Sequence, residues 1–530
     1  MVLASVLAVA VVPTIAAEAG RPEPLANLVP KIVWESCGPD FPGAECAVAS
    51  LPLDYDQPRG DMTSIALAKI PASDPNGRLG TVFVNPGGPG GSGVELVLSG
   101  FGEYLAGNLG GRFDVVGFDP RGVGFSDPLR CFPSEEALNA FFADQPVFPF
   151  RPRQFRPFFD TYSSLGPTCL RAAPPIAAHM STADVARDLD LLRQGVGDAK
   201  LTYLGFSYGS FLGTTYANLF PDRVRALVID GVLNPKLWST GRQIESDRVA
   251  TQPVFDEFLR LCDEAGPACA FSAPGGSEAR WEALADALRR EPLVLPDGFE
   301  YSYDLLIADG AGAMYVPEFW PSAAEFFGFL AQAVLDDPAA ATAAADARVA
   351  LRNLLSPPGL NADYPNGFDA YYGNHCADTE YPSNFGQFRA TGQYASRGSQ
   401  FGPYWWWSNA GCAAWPVNAD RYTGPWSTTT SAPVLIVGNF FDGVTDYAGA
   451  QAVNRQLRTS RLLSYAGWGH TAYGRSACAT AAIDTYLLDT TLPAKGTVCP
   501  ANPNPLLGDP NARTAAPAIL VGLPPSWLGR

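Results

Sequence analysis

The segment Gly205–Gly209 reads Gly-Phe-Ser-Tyr-Gly and places Ser207 where its hydroxyl could act as a nucleophile. A short apolar run, 201–204, precedes the segment, and a helix-like stretch, 210–220, follows it. A Gly-x-Ser-x-Gly sequence between a strand and a helix predicts a sharp turn, because glycine lets the two elements approach closely. With 53 glycines in 530 residues the pattern can also arise by chance, so the argument depends on partners elsewhere in the chain.

A serine hydroxyl becomes a strong nucleophile when an imidazole accepts its proton and a carboxylate orients that imidazole. Asp442 follows the strand-like run 434–438, and His470 follows the strand-like run 461–465. The carboxyl ends of parallel strands meet at one edge of a sheet, so both side chains are expected near Ser207. The order serine, acid, histidine predicts acyl transfer with Ser207 as nucleophile, His470 as base and Asp442 as orienting acid.

Other residues compete for two of these roles. Asp446 is the alternative acid, but it stands at the start of a predicted helix, where aspartate commonly caps the backbone. Asp442 is favoured because it comes sooner after its strand. His375 is predicted to be structural, and His179 is predicted to be a surface or capping residue.

The negative oxygen of a tetrahedral intermediate requires two backbone N–H donors. One is expected from Tyr208, the residue after the nucleophile. The other is expected from the glycine-rich loop 85–93, which follows the strand-like run 81–84. Gly88 is the preferred donor and Gly87 the alternative. The loop lacks the Gly-Lys-Ser/Thr sequence of a phosphate-binding loop.

The elements that must position these residues alternate between strands and helices. Further strand-like runs occupy 113–118 and 226–230, and a capped helix is predicted at 181–192. This alternation predicts an α/β protein with a mostly parallel, doubly wound sheet. A large, mainly helical cap is expected after the sixth strand. The expected boundaries are 33–235 for the first part of the core, 236–430 for the cap, 431–500 for the second part of the core and 501–530 for an extended tail.

The first residues and the cysteines indicate export from the cell. Residues 2–12 are apolar and 17–19 read Ala-Glu-Ala, so 1–19 is predicted to be a signal peptide. The ten cysteines occur as near neighbours in sequence, which favours disulfides in a secreted protein. Their connectivity stays open from sequence alone, and the nearest-neighbour pairs are Cys37 and Cys46, Cys131 and Cys169, Cys262 and Cys269, Cys376 and Cys412, and Cys478 and Cys499.

Composition excludes several classes of partner. The formal net charge of −17 argues against nucleic acids and anionic membrane surfaces. No C-x-x-C pair occurs, and only three histidines are present, so neither a metal nor an organic cofactor is expected. No transmembrane segment is predicted, and the mature protein is expected to be a secreted monomer.

Several motifs together resemble one known family. Residues 87–90, 119–126, 205–209, 442–445 and 469–470 are similar to the secreted tripeptidyl aminopeptidases of the prolyl aminopeptidase group. These are α/β-hydrolases with a characteristic C-terminal portion. The resemblance covers about residues 33 to 500. It implies an α/β-hydrolase fold, the triad Ser207, Asp442 and His470, and a serine exopeptidase that releases short peptides from free N-termini.

The same triad could serve two other functions. A carboxylic ester hydrolase would use it on an ester, because the fold and the triad do not select the acyl substrate. A catalytically silent binding protein is the second alternative, and the intact triad argues against it.

An aminopeptidase also requires carboxylates that recognise the α-amine of its peptide substrate. Three acidic residues of the predicted cap are candidates: Asp378, Glu380 and Glu245. The aromatic run 404–407, Tyr-Trp-Trp-Trp, either lines a pocket for apolar or prolyl side chains or packs the cap onto the core.

Overall fold

The computed structural model describes residues 28–355, 364, 366–415 and 420–507. The predicted signal peptide, 1–19, and residues 508–530 of the predicted tail lie outside these ranges. The described part of the tail packs against the body of the protein, because Leu506 is buried and Asn504 Nδ2 donates to the carbonyl oxygen of Leu261 over 3.1 Å. This part of the tail is therefore not peripheral.

Twelve strands occur within the described ranges. In chain order they are β1 (Glu35–Ser36), β2 (Glu45–Pro52), β3 (Met62–Ile70), β4 (Gly80–Asn85), β5 (Phe113–Phe118), β6 (Leu201–Phe206), β7 (Val224–Asp230), β8 (Leu293–Val294), β9 (Glu300–Tyr301), β10 (Val434–Phe441), β11 (Ser460–Trp468) and β12 (Val498–Cys499). Ten of them form one sheet in the order β1-β2-β3-β5-β4-β6-β7-β10-β11-β12, and β8 and β9 pair separately.

The main sheet is parallel from β5 through β12 and antiparallel among β1, β2, β3 and β5. Every residue of β4 and of β6 is buried. Continuous apolar strands of this kind are typical of a parallel sheet covered on both faces. The predicted α/β fold with a mostly parallel, doubly wound sheet is therefore confirmed.

The helices within the described ranges begin and end as follows: α1 (Gly93–Leu96), α2 (Gly102–Asn108), α3 (Glu135–Phe142), α4 (Phe155–Ser163), α5 (Leu165–Ala172), α6 (Pro174–Ala177), α7 (Thr182–Gly195), α8 (Tyr208–Leu219), α9 (Pro235–Trp238), α10 (Ile244–Ala265), α11 (Ser277–Arg290), α12 (Tyr303–Ala313), α13 (Trp320–Ala331), α14 (Ala341–Leu355), α15 (Gly367–Asp378), α16 (Phe385–Ala395), α17 (Gly402–Ser408), α18 (Tyr447–Gln456) and α19 (Ala477–Asp489). A π-helical segment, Val97–Phe101, joins α1 to α2. The predicted crossover helix is α7, with Ser181 as its N-cap.

Two apolar clusters cover the two faces of the sheet. One contains residues of α1, α2 and α19, such as Val94, Leu105 and Ile483. The other contains residues of α7, α8 and α18, such as Leu189 and Leu212. Helices on both faces hold the strands in place, so the carboxyl ends of β4, β6, β10 and β11 form a rigid edge.

The inserted segment lies between β7 and β10 and contains α9–α17. It follows the seventh strand in chain order, and not the sixth, because the two-residue edge strand β1 precedes the longer strands. Its helices share one large apolar cluster with α3–α6, which lie between β5 and α7 in the chain. The strand and helix pattern did not indicate that this earlier segment joins the inserted one.

All ten cysteines lie within the described ranges and form five disulfides between nearest neighbours in sequence. The bridges span 7 to 38 residues. In the chain-entropy description, a bridge closing about 15 residues contributes about 3 kcal/mol. Of the helices described, none combines the length and the apolar character that crossing a bilayer requires.

Candidate active site

Ser207 lies in the turn between β6 and α8, with φ 56° and ψ −121°. Its backbone N–H donates to the carbonyl oxygen of Asp230 over 2.9 Å. Glycine is required at position 205, because a Cβ atom there would lie 2.5 Å from the carbonyl oxygen of Gly209. Strand and helix can therefore close into the sharp turn that Gly-x-Ser-x-Gly predicts.

His470 and Asp442 form a buried pair at the carboxyl ends of β11 and β10. His470 Nδ1 lies 2.9 Å from Oδ2 and 3.0 Å from Oδ1 of Asp442. The other imidazole nitrogen, Nε2, is buried and has no hydrogen-bond partner among the described residues. An imidazole held through Nδ1 by a carboxylate leaves Nε2 available to accept a proton.

The turn Asp230–Gly231 brings this pair next to Ser207. Asp230 accepts the Ser207 N–H through its carbonyl oxygen. A Cβ atom at Gly231 would lie 3.0 Å from His470 Cε1. Ser207 and His470 thus lie on either side of one turn at the end of β7, and the structure brings together the three residues predicted for the triad.

Asp442 is fixed by backbone and hydroxyl donors. The N–H groups of Val444 and Thr445 each donate to Oδ1 over 2.9 Å, and Thr445 Oγ1 donates to Oδ2 over 2.8 Å. Burial favours the neutral acid, but the charge and hydrogen bond of His470 and these donors outweigh it, so the pKa of Asp442 is lowered. Sequence analysis missed Thr445, although its position three residues after the acid was visible.

The loop that carries His470 is held from several sides. The His470 N–H donates to the carbonyl oxygen of Tyr315 over 2.9 Å. The Asp230 side chain accepts the N–H groups of Ala472 and Tyr473 over 2.8–3.0 Å. Burial raises the pKa of Asp230 to about 6, even though these N–H donors favour its charged form. This role was not predicted, because Asp230 stands at the end of a strand-like run in the sequence.

Two backbone N–H groups were predicted to bind the negative oxygen of the tetrahedral intermediate, and both come from segments beside Ser207 in the chain or in the fold. Tyr208 is the first residue of α8, so its N–H has no partner within the helix. Gly87 lies against the turn, since a Cβ atom there would be 2.8 Å from Ser207 Cβ. The Gly87 N–H, however, donates to Asn85 Oδ1 over 2.9 Å. Because the Gly87 N–H is already engaged, Gly88 stays the predicted second donor.

Asp446, the alternative acid, caps helix α18. Its Oδ1 accepts the N–H of Gly449 over 3.0 Å and the hydroxyl of Ser246 over 2.7 Å. His470 makes its carboxylate contact with Asp442 and not with Asp446. The capping role that the sequence favoured for Asp446 is the one the contacts show.

The three predicted amine ligands are already engaged in other contacts. Asp378 is buried and accepts the N–H and the hydroxyl of Thr182 over 2.8 and 2.6 Å. Glu380 pairs with Arg421, and Glu245 pairs with Arg242 over 2.7 Å. Glu245 and Glu380 line a separate cavity of about 460 Å³ together with Arg242. Their prediction as amine ligands is not supported, because a carboxylate with its own partner gains less from an ammonium group.

The remaining predicted residues have structural contacts. His375 is buried, with Nε2 3.0 Å from the Tyr381 hydroxyl, and burial lowers its pKa to about 3. His179 is half-buried, and its carbonyl oxygen accepts Arg121 over 3.1 Å. The tryptophans 405–407 are buried within the cap cluster. Of the two roles considered for this run, packing fits best.

Buried carboxyl groups predict how stability depends on pH. Burial raises the pKa of Asp378 to about 7 and of Asp247 to about 8, whereas unfolded aspartate titrates near 4. Between these values the folded protein holds protons that the unfolded chain releases, so the free energy of unfolding falls as pH rises. His375 opposes this trend only below about pH 6.5.

The melting temperature is therefore expected to be lower at pH 8 than at pH 6.5. The melting temperature of the Asp378→Asn variant should differ less between pH 6.5 and pH 8, because one of the titrating groups is gone. Calorimetry at both pH values measures this directly. A wild-type melting temperature that rises from pH 6.5 to 8 would contradict the expectation.

Comparison with known proteins identifies the family of the chain. The family described as "alpha/beta hydrolase fold" matches residues 80–259, and the family described as "TAP-like protein" matches residues 398–499. Among solved structures, a proline iminopeptidase from Mycobacterium smegmatis is 14% identical to this chain. The alignment covers 83% of this chain and 97% of that protein's chain, with a TM-score of 0.35. The fold and the matched families define a serine hydrolase with the α/β-hydrolase fold.

Curated relatives extend over most of the chain. A tripeptidyl aminopeptidase from Streptomyces lividans is 32% identical over 495 residues, covering 89% of this chain and 87% of the relative. Serine protease Hip1 from Mycobacterium tuberculosis is 29% identical over 88% of this chain and 91% of the relative. A protein named carboxylesterase B from the same organism is 32% identical over 91% of this chain and 92% of the relative. The chain belongs to the α/β-hydrolase family with a TAP-like C-terminal portion, which includes the tripeptidyl aminopeptidases, and it is a serine peptidase.

Proposed function

We propose that this protein is a secreted serine exopeptidase that releases short peptides, of the tripeptide type, from free N-termini through an acyl-enzyme. The observation that carries the proposal is the buried His470–Asp442 pair beside the strained Ser207 turn. The relative from Streptomyces lividans named tripeptidyl aminopeptidase supports the choice of substrate.

The first half of the reaction forms the acyl-enzyme. Ser207 Oγ attacks the carbonyl carbon of the scissile peptide bond while its proton passes to His470 Nε2. The carbonyl oxygen becomes negative and accepts the N–H groups of Tyr208 and Gly88. His470 then gives its proton to the leaving amine, the C–N bond breaks, and the N-terminal peptide remains as an ester on Ser207.

The second half releases that peptide. Water attacks the ester carbonyl and gives a proton to His470, the same two N–H groups bind the oxygen, and Ser207 leaves with the proton from His470. Asp442 stays ionised throughout, since its pKa is lowered, and so it can stabilise the imidazolium that forms twice in each cycle. The chain's own groups thus supply nucleophile, base, orienting acid and oxyanion donors.

Secretion is part of the proposal. The apolar residues 2–12, followed by Ala-Glu-Ala at 17–19, are typical of a signal peptide. The five disulfides suit an oxidising compartment, because intracellular thiols are usually kept reduced.

A digest of one unmodified peptide tests the proposed activity. The enzyme and its Ser207→Ala variant are incubated with a peptide of ten residues, and products are identified by mass spectrometry. We expect stepwise release of short N-terminal fragments by the wild type alone. Intact peptide together with rapid hydrolysis of p-nitrophenyl acetate would favour the carboxylic ester hydrolase, for which the relative named carboxylesterase B is the supporting observation.

A further inference from the structure

One buried carboxylate next to the site has no part in the triad. Asp247 lies on α10, the helix that packs against the loop carrying Asp442. Thr251 Oγ1 donates to the carbonyl oxygen of Gly443 over 2.6 Å. Asp247 is four residues earlier, so it lies about 6 Å along the same face of the helix. The triad loop and Asp247 are therefore neighbours in space.

Two tyrosines that border the site are also affected by the charge of Asp247. The Tyr315 ring meets His470 edge to face, with 5.5 Å between ring centres. Tyr371 abuts the glycine-rich loop, since a Cβ atom at Gly90 would lie 2.7 Å from the Tyr371 nitrogen. Burial raises the pKa of both tyrosines, and the charge of Asp247 adds to the rise in each. Both tyrosines therefore border the site, and the charge of Asp247 acts on each of them.

The Asp247 carboxylate is only partly satisfied. Its Oδ1 accepts Gln243 Nε2 over 2.8 Å. Its Oδ2 accepts no hydrogen bond from a described residue and is partly accessible to solvent. The residue as a whole is 8% exposed. One oxygen is therefore open to a ligand at a buried position.

The carboxyl groups of Asp247 and Asp446 have no cationic partner among the described residues. Burial, followed by the nearby charge of Asp446, raises the pKa of Asp247 to about 8. No described lysine, arginine or histidine forms an ion pair with either carboxylate. Ionising two neighbouring buried carboxyl groups costs free energy, and a cation bound beside them lowers that cost. An ammonium group with N–H donors fits this need.

We infer that Asp247 binds the α-ammonium group of the peptide substrate, with Asp446 contributing negative potential, and so confers the requirement for a free N-terminus. The inference rests on the proposed function and assigns the amine-binding role to a residue other than Asp378, Glu380 and Glu245. Because Asp247 is fixed on a helix, its separation from Ser207 limits how many residues fit between the amine and the scissile bond. An acetylated N-terminus is a neutral amide, so its binding would leave the carboxylates of Asp247 and Asp446 without a cationic partner.

The test compares Ala-Ala-Pro-p-nitroanilide with its N-acetyl form in the Asp247→Asn variant. We expect kcat/KM for the free-amine substrate to fall about 10- to 100-fold, mainly through KM, because a hydrogen-bonded charge pair is lost. Hydrolysis of the acetylated peptide and of p-nitrophenyl acetate should not change. Asp247→Glu keeps the charge and should restore part of the preference for the free amine.

A matched control stands on the same helix. Asp256 accepts Gln252 Nε2 over 2.8 Å, the same i to i+4 contact as in the Gln243–Asp247 pair, but it is exposed. Asp256→Asn should leave all three activities unchanged. An equal loss toward both peptides and the ester in Asp247→Asn, or no loss toward the free amine, would overturn the inference.

A binding readout separates this inference from the proposed function. A fluorophosphonate labels Ser207 without peptide hydrolysis, and Ala-Ala-Pro amide bound in the cleft slows that labelling. We expect protection of the wild type by the free-amine peptide and not by its acetylated form, with protection about 10- to 100-fold weaker in Asp247→Asn. Equal protection by both peptides, or by neither, would overturn the inference whatever the enzyme hydrolyses.

Discussion

The Ser207→Ala variant is expected to lose on the order of 10⁴- to 10⁶-fold in kcat on any substrate that the wild type hydrolyses. Without Oγ no acyl-enzyme can form, and only the oxyanion donors and substrate binding remain. The residual rate then reflects water attacking a bound carbonyl. Initial rates with a chromogenic peptide and with p-nitrophenyl acetate measure the loss on both substrate classes.

The fold of this variant should be intact. Ser207 Oγ has no hydrogen bond to a described residue, and alanine can occupy the same backbone conformation as serine at φ 56°. The melting temperature is therefore expected to stay within a few degrees of the wild type. The exposed Ser99 offers a control, since Ser99→Ala should retain full activity. More than a tenth of wild-type activity in Ser207→Ala would refute the role of Ser207 as nucleophile.

The second large effect separates the two aspartates that follow β10. Asp442→Asn is expected to lower kcat about 10⁴-fold, because an amide at this position favours the wrong imidazole tautomer. Asp446→Asn should leave kcat nearly unchanged, since asparagine caps a helix about as well as aspartate, and the loss of its charge beside Asp247 is expected to appear in KM. Steady-state kinetics on both variants give a direct contrast between neighbouring carboxylates.

The contacts of each residue explain the expected contrast. Asp442 Oδ2 forms a hydrogen bond with His470 Nδ1 over 2.9 Å. Asp446 receives the N–H of Gly449 and the hydroxyl of Ser246. Comparable losses in the two variants would mean that Asp446 acts on the imidazole as well. A fall in kcat in Asp446→Asn alone would mean that Asp446, and not Asp442, is the acid that orients His470.

The triad could be predicted because each member follows a strand whose apolar run is visible in the sequence. Parallel strands β6, β10 and β11 must end at one edge, so their carboxyl ends bring residues 207, 442 and 470 together whatever lies between them. The Gly-x-Ser-x-Gly spacing adds the turn geometry. Local sequence and a general rule of sheet topology were sufficient here.

The surroundings of the triad could not be predicted in the same way. Asp230 acts through contacts with a loop whose path depends on the folded sheet, since it accepts the N–H groups of Ala472 and Tyr473. Asp247 lies on a helix whose neighbour Ser246 meets Asp446 across 200 residues of sequence. An aspartate in a predicted helix is usually exposed, so burial against a distant loop is not readable from the local pattern.

The cap shows a similar limit. Its outer boundaries follow from where the strand pattern stops and resumes. The participation of α3–α6 in its apolar cluster depends on packing between segments far apart in the chain. The two-residue strands β1 and β12 pair at the sheet edges and are too short to leave an alternating pattern.

The measurement that tests the proposed function most directly is the ratio of kcat/KM values for Ala-Ala-Pro-p-nitroanilide with a free and with an acetylated N-terminus. A serine exopeptidase that requires a free N-terminus predicts efficient release of nitroaniline from the free-amine substrate and about 100-fold or more discrimination against the acetylated one. Equal hydrolysis of the two peptides, or hydrolysis of p-nitrophenyl acetate with neither peptide cleaved, would contradict it.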